Sequence, residues 1–168
     1  TVLLGSGCLC CTVRGELAGT MRELHSRRER AAVPTFRRVV IESTGLADPF
    51  PVLSTLRADP VLRHHFRAAG VVTTVDAVNG LMQLDRYVVS MRQAAIADVI
   101  ALTKTDIAPE DAVLPLQARL GALNPLAPVF RVAEGPLPVN ALLAADRSPF
   151  KAVGEPDGTA AHAKARAL

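Results

Sequence analysis

Cys8, Cys10 and Cys11 are the only cysteines in this 168-residue sequence, and four consecutive positions hold all three. Thiolates are soft ligands that favour zinc and other late transition metals. Sulfurs this close can share one ion if the backbone turns tightly, which Gly5 and Gly7 permit, and three thiolates leave a fourth position for an exchangeable ligand. Burial of the thiols as small apolar groups is a second reading. Redox chemistry is a third, since Cys8 and Cys11 have the Cys-x-x-Cys spacing, although Cys8-Leu9-Cys10 does not. A dinucleotide-binding fingerprint fails, because Gly5-Ser6-Gly7 would need another glycine where Cys10 stands.

A second cluster is Glu42-Ser43-Thr44-Gly45, continuing Leu46-Ala47-Asp48-Pro49. A carboxylate at the tip of a buried strand, with a glycine three residues on, can hold Mg²⁺ through its waters and meet a γ-phosphate with a backbone N–H. The plainer reading is a strand that ends in Glu before a turn. The third cluster is Thr103-Lys104-Thr105-Asp106. An aspartate there can accept two hydrogen bonds from the ring N–H and amino group of guanine, while the lysine stem packs on the base plane. A strand-to-helix turn with Asp106 as a helix cap is the alternative.

The elements that must position these clusters follow from apolar periodicity. Thr1 to Leu4 reads as the end of a strand. Thr12 can cap a helix whose stripe is Val13, Leu17, Met21 and Leu24, ending before Pro34. Arg38 to Glu42, Val71 to Asp76, Asp98 to Thr103 and Pro128 to Val132 are short β-branched or apolar runs, expected as buried parallel strands. Between them, helical pieces are expected at Val52 to Ala58, at Val61 to Arg67, along a long amphipathic stretch from Leu81 to Ala95, and at Ala112 to Leu120. Pro109 suits a first helical position, and Pro115 blurs where that helix starts. A short helix is expected at Val139 to Ala145. Strands alternating with helices define an α/β fold with a mostly parallel sheet flanked by helices. Residues 1–150 read as one domain and 151–168 as a linker or tail, since periodicity stops beyond Phe150.

Composition narrows the partners. Hydrophobic residues make up 49% and charged residues 21%, enough apolar material for a core. The apolar runs are far shorter than the roughly 18 to 20 residues that span a bilayer, so no membrane partner is expected. The net charge of +3 is carried by scattered arginines with few aromatics, so nucleic acid is not expected either. An odd, clustered cysteine count fits a reducing cytoplasm better than a disulfide framework. Thr1-Val2-Leu3-Leu4-Gly5 has neither a starting Met nor a basic leader, and the chain is expected to begin inside a longer protein.

Taken in order, Gly-Cys-x-Cys-Cys-Thr-Val-Arg-Gly, Glu-Ser-x-Gly-Leu-Ala-x-Pro, Val-Asp-Ala and Thr-Lys-Thr-Asp resemble the CobW family of metal-handling GTPases, relatives of the hydrogenase and urease nickel chaperones, across roughly Val2 to Leu143. The resemblance implies a P-loop NTPase-like domain. It makes Cys8, Cys10 and Cys11 the metal-binding cysteines for zinc or cobalt, and Glu42 to Gly45 the Mg²⁺ and γ-phosphate switch. Thr103, Lys104 and Asp106 become the guanine-binding residues for GTP. It further implies a client protein that receives the metal, and leaves room for a homodimer. Three departures accompany it. No Gly-x-x-x-x-Gly-Lys-Ser/Thr phosphate loop occurs, and in the family that loop follows a first strand lying between the strands that end at Glu42 and Asp76. Without it this chain alone is not expected to hydrolyse GTP, although its parent would. Leu3 stands where family members often carry Glu, and the family's smaller C-terminal domain is not seen beyond a hint at His162. The alternatives are a metal-storage or sensing module without catalysis, and a P-loop nucleotide-binding relative with structural cysteines.

Overall fold

A computed structural model of the chain describes residues 12–132. The expected cysteine loop, the strand end at 1–4, the final helix at 139–145 and the domain boundary near 150 all lie outside the described residues.

Three parallel strands form the sheet: β1 (Val72–Asp76), β2 (Val99–Thr103) and β3 (Val129–Arg131), in the order β1-β2-β3. The register sets Val72 opposite Val99 and Asp76 opposite Thr103, so the polar tips of β1 and β2 come level. Helices α1 (Thr12–Glu29), α2 (Phe50–Ala58) and α3 (Pro60–His65) precede the sheet. Helices α4 (Gly80–Arg86) and α5 (Val88–Ala95) form the crossover from β1 to β2, and α6 (Glu110–Leu123) that from β2 to β3. The α/β class expected from the sequence is the observed one.

The main core lies between the sheet and α4 to α6. Leu84, Ile100, Leu102, Val113, Leu116 and Leu120 are its largest buried members. Gly80 lets α4 approach the sheet closely, because a Cβ there would lie 2.7 Å from Val75 Cγ1 and 2.9 Å from Leu116 Cδ2. Buried Asn124 seals the far end. Its amide donates to the carbonyls of Ala94 at 3.0 Å and Ala97 at 2.8 Å, and its Oδ1 accepts from the Ala127 N–H. A second, smaller core joins Leu17, Ala18 and Met21 of α1 to Leu62 of α3. An ion pair of 3.2 Å between Arg22 and Asp59 closes its edge, and Asp59 also caps α3 through the N–H groups of Val61 and Leu62.

Three expectations change. Arg38 to Glu42 is not a strand: the segment is irregular, with Val40 86% exposed. A strand needs a ladder, and among the described residues no strand pairs with the outer edge of β1 where this run would be approached. The stretch from Leu81 to Ala95 is two helices, broken at an extended Tyr87 just before the β-branched pair Val88-Val89. Helix α6 starts at Glu110, with Pro109 as its cap, and runs through Pro115. That proline lies on the exposed face, where water can satisfy the carbonyl it leaves without a donor.

Candidate functional site

The tips of β1 and β2 are bound into one polar unit. The Ala77 N–H donates to the Thr103 carbonyl at 2.9 Å, and the Thr103 hydroxyl donates to the Val75 carbonyl at 3.2 Å. Thr103 is therefore committed to tying the strands together. Lys104, the next residue, has a left-handed backbone with φ of 59°, uncommon for any residue but glycine. The N–H groups of Ile107 and Ala108 donate to its carbonyl and fix the turn.

The Lys104 side chain reaches back across the strand tips to Asp76, its Nζ 2.7 Å from Oδ2. Asp76 is itself held: Oδ1 accepts from the N–H groups of Val78 at 2.8 Å and Asn79 at 3.2 Å, and Oδ2 from the Asn79 amide. Burial alone would raise the pKa of this carboxyl, but the hydrogen bonds from Lys104, Val78 and Asn79 outweigh it and hold the pKa below the usual aspartate range. Asp106 is exposed in the same turn, and the Thr105 hydroxyl is buried without a hydrogen-bond partner among the described residues. An accessible carboxylate, a pinned aliphatic stem and an unmet buried hydroxyl in one turn suit a planar base with polar edges.

The Glu42 cluster is placed differently. Glu42 is exposed in irregular chain, and Gly45 lies in a turn. The loop is fastened from the side by α5: the Gln93 amide donates to the Ala47 carbonyl at 2.8 Å and the Gly45 carbonyl at 3.3 Å, and Arg92 pairs with Asp48 at 2.8 Å. Asp48 also accepts from the Phe50 N–H at the start of α2, and that bond, helped by Arg92, lowers its pKa against the effect of desolvation. The Gln93 carbonyl in turn accepts from the Thr73 hydroxyl. The loop is thus tied to β1 through α5, and Gly45 and Leu46 line a cleft of about 540 Å³ together with Thr73, Thr74, Val75, Gln83 and Tyr87. The structure gathers Thr103, Lys104 and Asp106 into one loop and leaves Glu42 and Gly45 in another.

Cys8, Cys10 and Cys11 lie outside the described residues, and the described residues contain no group of three or more His, Cys, Asp or Glu that could hold a metal ion. Helix α1, which carries part of the second core, begins at Thr12, the residue after Cys11 in the sequence.

Sequence reasoning gave no site role to Asp76, quoted only within Val-Asp-Ala, nor to Arg92 and Gln93. Asp76 had a signal in an aspartate ending a strand two residues before Val78-Asn79-Gly80, a start pattern for a helix. Arg92 and Gln93 had none, since polar residues on a short amphipathic helix read as a solvated face.

A parallel sheet with helical crossovers and a polar loop at its strand tips is an α/β architecture that places ligand loops at the carboxyl ends of its strands. The chain belongs to the CobW/HypB/UreG nucleotide-binding domain family, whose model matches residues 1–131. It is 36% identical over 139 residues to the zinc chaperone YjiA of Escherichia coli, covering 83% of this chain and 43% of that protein. Zinc-regulated GTPase metalloprotein activator 1 of Schizosaccharomyces pombe is 29% identical over 137 residues, covering 81% of this chain and 32% of that protein. The crystal structure of Zn(II)-bound YjiA GTPase from E. coli superposes with a TM-score of 0.69 at 34% identity, over 76% of this chain and 39% of that one. A Zn(II)-bound triple mutant of YjiA, with one glutamate and two cysteines changed to alanine, matches equally well at a TM-score of 0.69. The chain spans less than half the length of these relatives. No described helix is long and apolar enough to cross a membrane.

Proposed function

We propose that this chain is the metal-handling and guanine-reading part of a GTP-dependent metallochaperone acting in the cytoplasm. The observation that carries the proposal is the 103–106 loop, with Lys104 pinned to Asp76 and Asp106 left accessible, in a chain of the CobW family. In this reading Cys8, Cys10 and Cys11 take up zinc, or cobalt in its place, as cargo for a client protein. Asp106 reads the guanine edge, the Lys104 stem supports the base, and Glu42 with Gly45 meets Mg²⁺ and the γ-phosphate when the loop comes within reach of the nucleotide. GTP supplies the binding energy and hydrolysis that reset the loop. Two copies can meet through the exposed apolar surface of this half, where Leu46 is 80% and Phe50 60% exposed.

The geometry offers a route by which metal and nucleotide are coupled. Cys11 directly precedes α1 in the sequence, α1 packs on α2 and α3 through Leu17, Met21, Val52 and Leu62, and α2 starts two residues after Asp48. In this reading a shift of α1 on metal uptake passes through this packing to the loop that carries Gly45. The phosphate-gripping motif is not among these 168 residues, so hydrolysis is assigned to the full-length protein. A metal-storage or sensing role would leave that protein without zinc-dependent turnover.

Zinc titration with a competing chelator tests the metal assignment. The YjiA triple mutant that still carries Zn(II) indicates that such a protein offers zinc further ligands, so stoichiometry is the readout. Replacing Cys8, Cys10 and Cys11 with serine is expected to remove one tight equivalent. Unchanged tight stoichiometry would refute the assignment.

A further inference from the structure

We propose that Asp76 is a positioning residue for base binding: it holds the Lys104 ammonium so that the lysine stem lies ready as a floor for the purine, while Asp106 reads its edge. The proposal rests on the guanine reading above and adds a residue to it.

Three features support it. Asp76 is rigid, because its two oxygens accept from Val78, Asn79 and Lys104, and its backbone is in register with Thr103 at the adjoining strand tip. Lys104 is the opposite kind of group, a long flexible chain whose freedom must be lost before it can support a flat ligand. Its left-handed backbone aims it across the tips, and the 2.7 Å pair ends its wandering before any base arrives. As a stabilising ion pair the contact is weak, since the lysine side chain is 54% exposed and the carboxylate 18%. A strained backbone and a fully engaged carboxylate spent on a half-exposed pair make sense as orientation. The pairing also neutralises a carboxylate that would otherwise face an anionic nucleotide.

The experiment measures GDP, IDP and ADP binding to the full-length protein by calorimetry, in wild type, Asp76→Asn, Lys104→Ala and the double variant. Asparagine keeps the oxygen that accepts from the N–H groups of Val78 and Asn79 and removes the charge that holds Lys104. Asp76→Asn is expected to weaken GDP and IDP by the same factor, roughly two- to fivefold, because the stem supports both bases alike. In the Lys104→Ala background the same change is expected to do nothing further, the signature of a residue acting through its partner. Wild-type GDP affinity in Asp76→Asn, or an equal loss in both backgrounds, would overturn the proposal while leaving the preference for guanine intact. Wild-type protein that binds ADP as tightly as GDP would instead overturn the guanine reading, and Asp76 with it.

Discussion

Three runs of this chain share one chemistry. Val71 to Asp76, Asp98 to Thr103 and Arg38 to Glu42 are all rich in β-branched residues and lead into polar loops. The first two lie side by side in register, and Ile100 and Leu102 are fully buried between the sheet and its helices. The third is irregular, with Val40 86% exposed. The difference is in the neighbours: β2 is paired on both edges, whereas 38–42 has no ladder among the described residues. The same contrast divides the two candidate loops. The 103–106 loop is built on paired strand tips over the apolar core, while the Gly45 loop is fastened by a glutamine amide and one ion pair from α5. In the proposed function the first is the fixed reader and the second, with fewer ties, the part that moves.

The largest separation between the two regions is expected from leucine truncation. Leu102→Ala should cost about 2–5 kcal/mol of global stability in urea unfolding, from lost burial and a residual cavity. Leu46→Ala, at 80% exposure, should cost less than about 0.5 kcal/mol. Comparable losses at both sites would mean that the region around the Gly45 loop is as tightly packed as the sheet.

A smaller, local effect is expected from Gln93→Ala. Losing its bonds to the carbonyls of Gly45 and Ala47 removes about 1–2 kcal/mol from the loop alone. Limited proteolysis within 43–49 should accelerate about five- to thirtyfold, while hydrogen exchange in β2 stays as in wild type. Equal acceleration in both places would show that the loop and sheet open together.

The smallest effect concerns pH. His25 and His65 stack at 3.9 Å between α1 and α3, with His64 edge-on at 4.7 Å. Desolvation, then repulsion from His25 and His64, lowers the His65 pKa below its ordinary 6.5, against the pull of Glu29. The unfolded chain therefore binds the proton first. This contribution to stability is present above pH 6.5 and fades as pH falls through the lowered folded-state value. Melting temperature should drop modestly from pH 7.5 to 5.5, and less in His65→Gln. An identical drop in the variant would place the sensitivity elsewhere.

Much of this was legible in the sequence for physical reasons. β2 announced itself as a continuous apolar run because it is buried on both faces, whereas β1 and β3, expected as buried strands too, keep exposed positions and were legible from their β-branched content and length. The turn that carries Lys104 and Asp106 was legible as polar residues directly after an apolar run, and its base-reading role belongs to the proposal. The strand expected at 38–42 failed because periodicity records what a segment could bury, not whether a neighbour is there to pair with it. Arg92, Gln93 and the Asp76–Lys104 pair were hidden because each acts across 28 to 48 residues of sequence. Tyr87 concealed a helix break that the apolar spacing from Leu81 to Ala95 passes straight through.

The division into a fixed reader and a metal-coupled switch is tested most directly by GTP turnover of the full-length protein with and without one equivalent of zinc. Wild type and the Cys8, Cys10 and Cys11 to serine variant should be measured side by side. Zinc is expected to change turnover severalfold in wild type and to leave the variant unmoved, with GDP affinity alike in both. Turnover that ignores zinc in wild type, or an equal response in the variant, would contradict it.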